Sequence, residues 1–96
     1  MFLEIHHLHS LAMIRDSGNL TRAAERLHVT QSALSHQIKT LEDHFGCALF
    51  TRKSRPLRFT PAGQRLLELA DQIVPSVQAM ERELARFAQG KTGRLH

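Results

Sequence analysis

Gln31, Ser32, Ser35, His36 and Lys39 are the residues whose types and spacing point most directly to chemistry. They are interleaved with Leu34, Ile38 and Leu41, an apolar stripe at steps of four and three. On a helix, burying that stripe leaves the five polar side chains on the opposite or flanking surface. Their chemistry is hydrogen bonding. A glutamine amide pairs bidentately with the N6/N7 edge of adenine, and serine donates or accepts at several base edges. The free N–H groups of a helix N-terminus also suit a phosphate. Catalysis is not supported. Ser35 and His36 are sequence neighbours that a helix splays apart, and the chain has no glycine-rich phosphate loop or nucleophile elbow. His6, His7 and His9 suggest metal, but His6 and His7 point about 100° apart on a helix and no cysteine or carboxylate stands at ligand spacing. No dedicated metal site is expected.

The charge distribution agrees with a polyanion partner. Thirteen Lys and Arg against nine Asp and Glu give a net charge of +4 over 96 residues. Lys53, Arg55 and Arg58 crowd into one short stretch, whereas Glu68, Asp71, Glu81 and Glu83 fall late, among fewer cations. No apolar run approaches the roughly 18 residues of a membrane span. The N-terminus carries Glu4 and histidines where a signal peptide would be basic and then apolar. The chain reads as soluble and cytoplasmic. Cys47 is the only cysteine, which excludes an internal disulfide and a multi-cysteine zinc site. Standing before Leu49 and Phe50, it is expected to be a small buried hydrophobe.

The elements that must position these residues can be read in order. Leu3 to about Asp16 is an amphipathic helix with Ile5, Leu8, Leu11 and Ala12 on one face, and Gly18 ends it. Asn19 caps a second helix, Leu20 to Leu27. Thr30 caps a third, Gln31 to Phe45, closed by Gly46. Ala23 and Ala24 allow close crossing, Leu27 and Val29 fill the space beneath the turn, and the short His28-Val29-Thr30 link imposes a helix-turn-helix angle. Leu49 to Arg52 and Leu57 to Thr60 read as two strands joined by the basic turn Lys53-Ser54-Arg55-Pro56. Thr60-Pro61 starts a long helix reaching about Gln89. Its apolar seam comprises Leu66, Leu69, Ile73, Val77, Met80, Leu84 and Phe87, and is too long for so small a core to cover. Pro75 is expected to bend it, and the stretch from Gly90 reads as linker. The fold class is mainly α: a winged helix-turn-helix of three helices and a two-stranded wing, followed by a long dimerisation helix.

The order AAxxLxVTQSALSxQIxxLE, Gly46, LFxR and FTPAG resembles the N-terminal module of LysR-type transcription regulators. TQSALSHQ and RKSRPLRFTPAG are most similar to the branch that controls methionine biosynthesis. The resemblance implies that Gln31, Ser32, Ser35 and His36 enter the major groove of a dyad operator. It implies that Lys53 to Pro56 form the wing, with Arg55 and Pro56 at the minor groove, and that the long helix pairs two subunits. Phosphate contacts are expected from Thr21, Arg22, Thr30, Lys39, Arg52 and Lys53. His36 departs from the arginine many members carry, although the methionine-like branch also shows histidine; it can be neutral and can donate, accept or stack. Residues 1–60 are then the reading head, 61–89 the pairing helix, and 90–96 the start of a linker to an effector domain absent from this chain. No cofactor is expected here, since an effector, homocysteine in the methionine branch, would bind that absent domain. The expected partners are double-stranded DNA and a second copy of the chain, with a tetramer open for the intact protein and no membrane. The rival reading is a helical interaction or dimerisation module with only non-specific DNA affinity.

Overall fold

The computed structural model describes residues 1–51 and 57–94, with side-chain surroundings described as far as residue 89. Four helices and one small sheet follow in the order α1 (Ile5–Ser17), α2 (Leu20–Leu27), α3 (Gln31–Phe45), β1 (Phe50–Thr51), β2 (Arg58–Phe59) and α4 (Pro61–Arg94).

Local capping chemistry sets most boundaries. Asn19 Oδ1 accepts the Arg22 N–H at 2.7 Å, and Thr30 Oγ1 accepts the Ala33 N–H at 3.0 Å, so each side chain satisfies an otherwise orphaned donor. Gly18 and Gly46 end α1 and α3 in the left-handed region, their N–H groups donating to Ile14 and Glu42 carbonyls at 2.9 and 2.8 Å. The non-glycine His28 (φ 61°) performs the same closure for α2. This lets the next N–H, of Val29, donate to the Ala24 carbonyl at 3.0 Å. The turn is therefore tight.

The core sits where α1, α2 and α3 cross. Leu11, Ile14, Leu34, Ile38 and Leu41 are fully buried, and the small Ala23 and Ala24 let the helices approach. Leu49 and Phe50 close its lower side, with Phe50 paired to Phe59 and Thr51 to Arg58 across the antiparallel β1–β2 ladder. A second cluster joins Leu8 of α1 to Ala70 and Val74 of α4. Arg15 fastens the same two helices with a bidentate pair to Asp71, both oxygens at 3.0 Å. The molecule extends 58 Å along its longest axis, as expected when about half of a 34-residue helix (about 50 Å in all) reaches past a small body.

Several expectations are corrected. Helix α1 begins at Ile5, and Ile5 itself is exposed, because the buried stripe is Leu8, Leu11 and Ile14. Val29 is 45% exposed and so does not fill the space beneath the turn. Cys47 is exposed as well, since the chain turns inward only at Leu49, whose N–H donates to Glu42 Oε2 at 2.9 Å. Helix α4 continues to Arg94, beyond the end expected near Gln89. Its most buried face is the neighbouring stripe Leu67, Ala70 and Val74; the seam residues, which the core was expected to leave uncovered, are half-buried at Leu66, Leu69, Ile73 and Val77 and exposed at Met80, Leu84 and Phe87.

Candidate nucleic-acid interface

With Leu34, Ile38 and Leu41 inside, α3 turns Gln31, Ser32, His36 and Lys39 to solvent, while Ser35 is half-buried at the margin of the same face. The five residues singled out from sequence thus share one surface. Gln31 is the first residue of α3, and its amide oxygen accepts a hydrogen bond from the Thr21 hydroxyl at 3.0 Å. Thr21 and Arg22 are exposed in the first turn of α2, so two helix N-termini lie next to each other on this face. N–H groups not used by a cap remain available there, and the helix dipoles favour an anion.

The expected phosphate contacts divide on closer inspection. Thr30 accepts from the Ala33 N–H as a cap, which leaves its own hydroxyl hydrogen free to donate. Lys39 pairs with Asp43 at 3.0 Å, one turn along α3. Both groups are well exposed, so the pair is weak and a phosphate can replace the carboxylate. Arg52, Lys53, Arg55 and Pro56 lie outside the described residues. The ladder they connect is described, and it presents Arg58 outward beside the half-buried Phe59. Arg58 belongs with the basic candidates: strand alternation around Phe59 was the signal for its outward position.

Among the described residues no group of three or more His, Cys, Asp or Glu side chains gathers in a way that could hold a metal ion. His6 pairs with Glu4 at 2.8 Å, whereas His7 is buried and accepts the Glu4 N–H on Nδ1 at 2.9 Å. Burial, then the nearby His6, holds the His7 pKa below its usual 6.5, with Glu4 opposing.

Residues 5–64 match the model of the bacterial regulatory helix-turn-helix proteins of the lysR family. The chain is similar to the HTH-type transcriptional regulator MetR of Haemophilus influenzae, with 52% identity over 94 residues, 98% of this chain and 30% of that protein. It is also 52% identical to MetR of Escherichia coli over 80 residues, 82% of this chain and 25% of that protein. It therefore spans less than a third of the length of these regulators. Among solved structures, the BenM DNA-binding domain in complex with catB site 1 DNA superposes with a TM-score of 0.81 at 33% identity, covering 92% of this chain and 98% of that one. The CbnR DNA-binding domain in complex with DNA gives 0.72 at 31% identity, covering 91% and 99%. Fold, motif order and outward polar helix agree, and the chain belongs to the lysR family of bacterial regulatory helix-turn-helix proteins.

Proposed function

We propose that this DNA-binding domain reads a dyad operator as a dimer, with α3 in the major groove and the β1–β2 wing at the minor groove. The observation that carries the reading is the exposed polar start of α3, Gln31 to His36, held over a fully buried stripe. Domains of the same fold have been solved on DNA. Gln31, Ser32, Ser35 and His36 read base edges. Arg22, Thr30, Lys39, Arg52, Lys53 and Arg58 neutralise or bond phosphates, and Arg55 with Pro56 reaches the minor groove, where a narrow A·T-rich groove attracts a cation. The exposed Met80, Leu84 and Phe87 of α4 pair two copies. In the division of labour expected from sequence, residues 1–60 read, 61–89 pair, and 90–96 lead toward an effector domain outside this chain, with homocysteine its expected ligand. The similarity to regulators named MetR supports methionine-related target genes.

The test is a binding titration of the protein and of Gln31→Ala against a duplex selected from a random-centre pool and against random duplex. Gln31→Ala is expected to lose about 1–3 kcal/mol on the selected duplex and to relax preference at one base pair. Random duplex binds almost as before, because the phosphate contacts survive. Equal loss on every sequence would place Gln31 on the backbone and remove α3 as the reading element.

A further inference from the structure

A hydrogen bond from Thr21 to Gln31 joins the first turns of α2 and α3 on the exposed face. Its two ends are rigidly placed. Asn19 caps the helix that carries Thr21, and Thr30 caps the helix that carries Gln31, so both side chains leave fixed backbones on either side of the tight turn. A hydroxyl facing an amide can donate to its oxygen or accept from its nitrogen, and the structure shows the first arrangement. A threonine hydroxyl has one hydrogen, and here that hydrogen goes to Gln31 Oε1 at 3.0 Å. While the bond stands in this sense, Thr21 does not also donate to a phosphate and the Gln31 NH2 group stays free; turning the amide over would make the Thr21 hydroxyl the acceptor instead.

We propose that Thr21 is a positioning residue for base recognition, holding the Gln31 amide oxygen so that the amide NH2 group points outward to the base edge. The proposal rests on the reading that Gln31 contacts a base. It changes what that contact selects. A freely rotating amide presents a donor or an acceptor with equal ease, and so tolerates the N4 donor of cytosine as well as a purine N7 or guanine O6. With its oxygen held by Thr21, Gln31 offers a donor first and favours an acceptor edge. The remaining lone pair of Oε1 still allows it to accept from adenine N6 beside N7. Water competes for the bond in the free protein; docking on DNA excludes that water and strengthens the bond where it matters.

Thr21→Val keeps the shape of the side chain and removes the donor, and Thr21→Ser keeps the donor. Both are titrated, alone and combined with Gln31→Ala, on the selected duplex and on versions altered at the base pair where Gln31→Ala relaxes preference. The expected result is that Thr21→Val lowers discrimination at that pair by roughly two- to tenfold, the range of one net hydrogen bond, with the largest gain for duplexes that place a donor there. Thr21→Ser restores the preference, and Thr21→Val has no further effect on it in the Gln31→Ala background, as coupled residues require. A loss equal on all sequences and additive with Gln31→Ala would make Thr21 a phosphate contact and overturn the proposal, leaving Gln31 as a base reader. A Gln31→Ala variant that keeps every base preference would overturn the base-reading role and this proposal together.

Discussion

Gly63 stands in the first turn of α4, where glycine is ordinarily the weaker choice, and its surroundings explain it. A Cβ at that position would fall on the Leu49 carbonyl oxygen and come within 3.0 Å of the Phe59 ring. That carbonyl cannot retreat easily, because it accepts the Thr60 N–H at 3.0 Å. Gly63→Ala is therefore expected to destabilise the fold by about 1–3 kcal/mol or more, as overpacking against a fixed backbone does. A denaturant midpoint equal to that of the unmodified protein would show that the link between α3 and β1 yields. The FTPAG pattern was legible in the sequence; the approach of residue 49 to residue 63 was not, because it depends on how α4 docks. By contrast, Asn19 and Thr30 were legible as caps, since capping needs only neighbours three residues away. His7 offers a second check at this scale. Its pKa in the folded protein is held below the usual 6.5, chiefly by burial. The unfolded chain therefore takes up a proton first as the pH falls, and stability declines below about 6.5 until the pH passes the lower, folded value. His7→Gln is expected to flatten that part of a stability curve measured between pH 7 and 5. A curve of unchanged slope would assign the dependence to other groups.

On α4 the core takes the stripe one residue along from the expected seam. Leu66, Leu69 and Ile73 are each followed by a second apolar residue, Leu67, Ala70 and Val74. Two stripes with the same steps thus run side by side, about 100° apart on the helix. Periodicity alone cannot choose between them. Docking against Leu8 of α1 chooses Leu67, Ala70 and Val74 and leaves the other stripe half-covered. Past Val77 the ambiguity ends, and Met80, Leu84 and Phe87 continue the seam at 50–57% exposure. This stretch carries the proposed pairing surface, and it can be tested without disturbing the core. Leu84→Asp combined with Phe87→Asp places two charges where a dry helix pair is proposed. Sedimentation is expected to show a monomer with unchanged helix content, and affinity for the selected duplex falls while the weaker random-duplex binding persists. A double variant that remains a dimer would move the pairing surface elsewhere. Changing Ile73 instead would confuse the result, because it also packs against the cluster of Leu8, Ala70 and Val74.

At the scale of the whole molecule, the order of elements and the helix-turn-helix were legible because each rests on local signals: caps, the alanine pair, a short turn and a stripe of Leu34, Ile38 and Leu41. The expected base-reading residues do share one exposed surface for the same reason, since helix geometry sorts them once the stripe is buried. The state of the Gln31 amide was not legible, as it depends on Thr21 across the turn. The central claim, that α3 reads the major groove of a dyad site, concerns an atom that can be removed from the DNA. Replacing purines one at a time by 7-deaza analogues deletes the N7 acceptor, which lies only in the major groove. On the selected duplex, affinity is expected to fall roughly threefold to tenfold at a few positions, the loss of single hydrogen bonds. Those positions form two symmetric sets, centred a whole number of helical turns apart at about 10 base pairs each, and one position in each set loses its sensitivity when Gln31→Ala is used. A duplex in which no 7-deaza substitution alters binding, although the protein still prefers it to random DNA, would contradict the account.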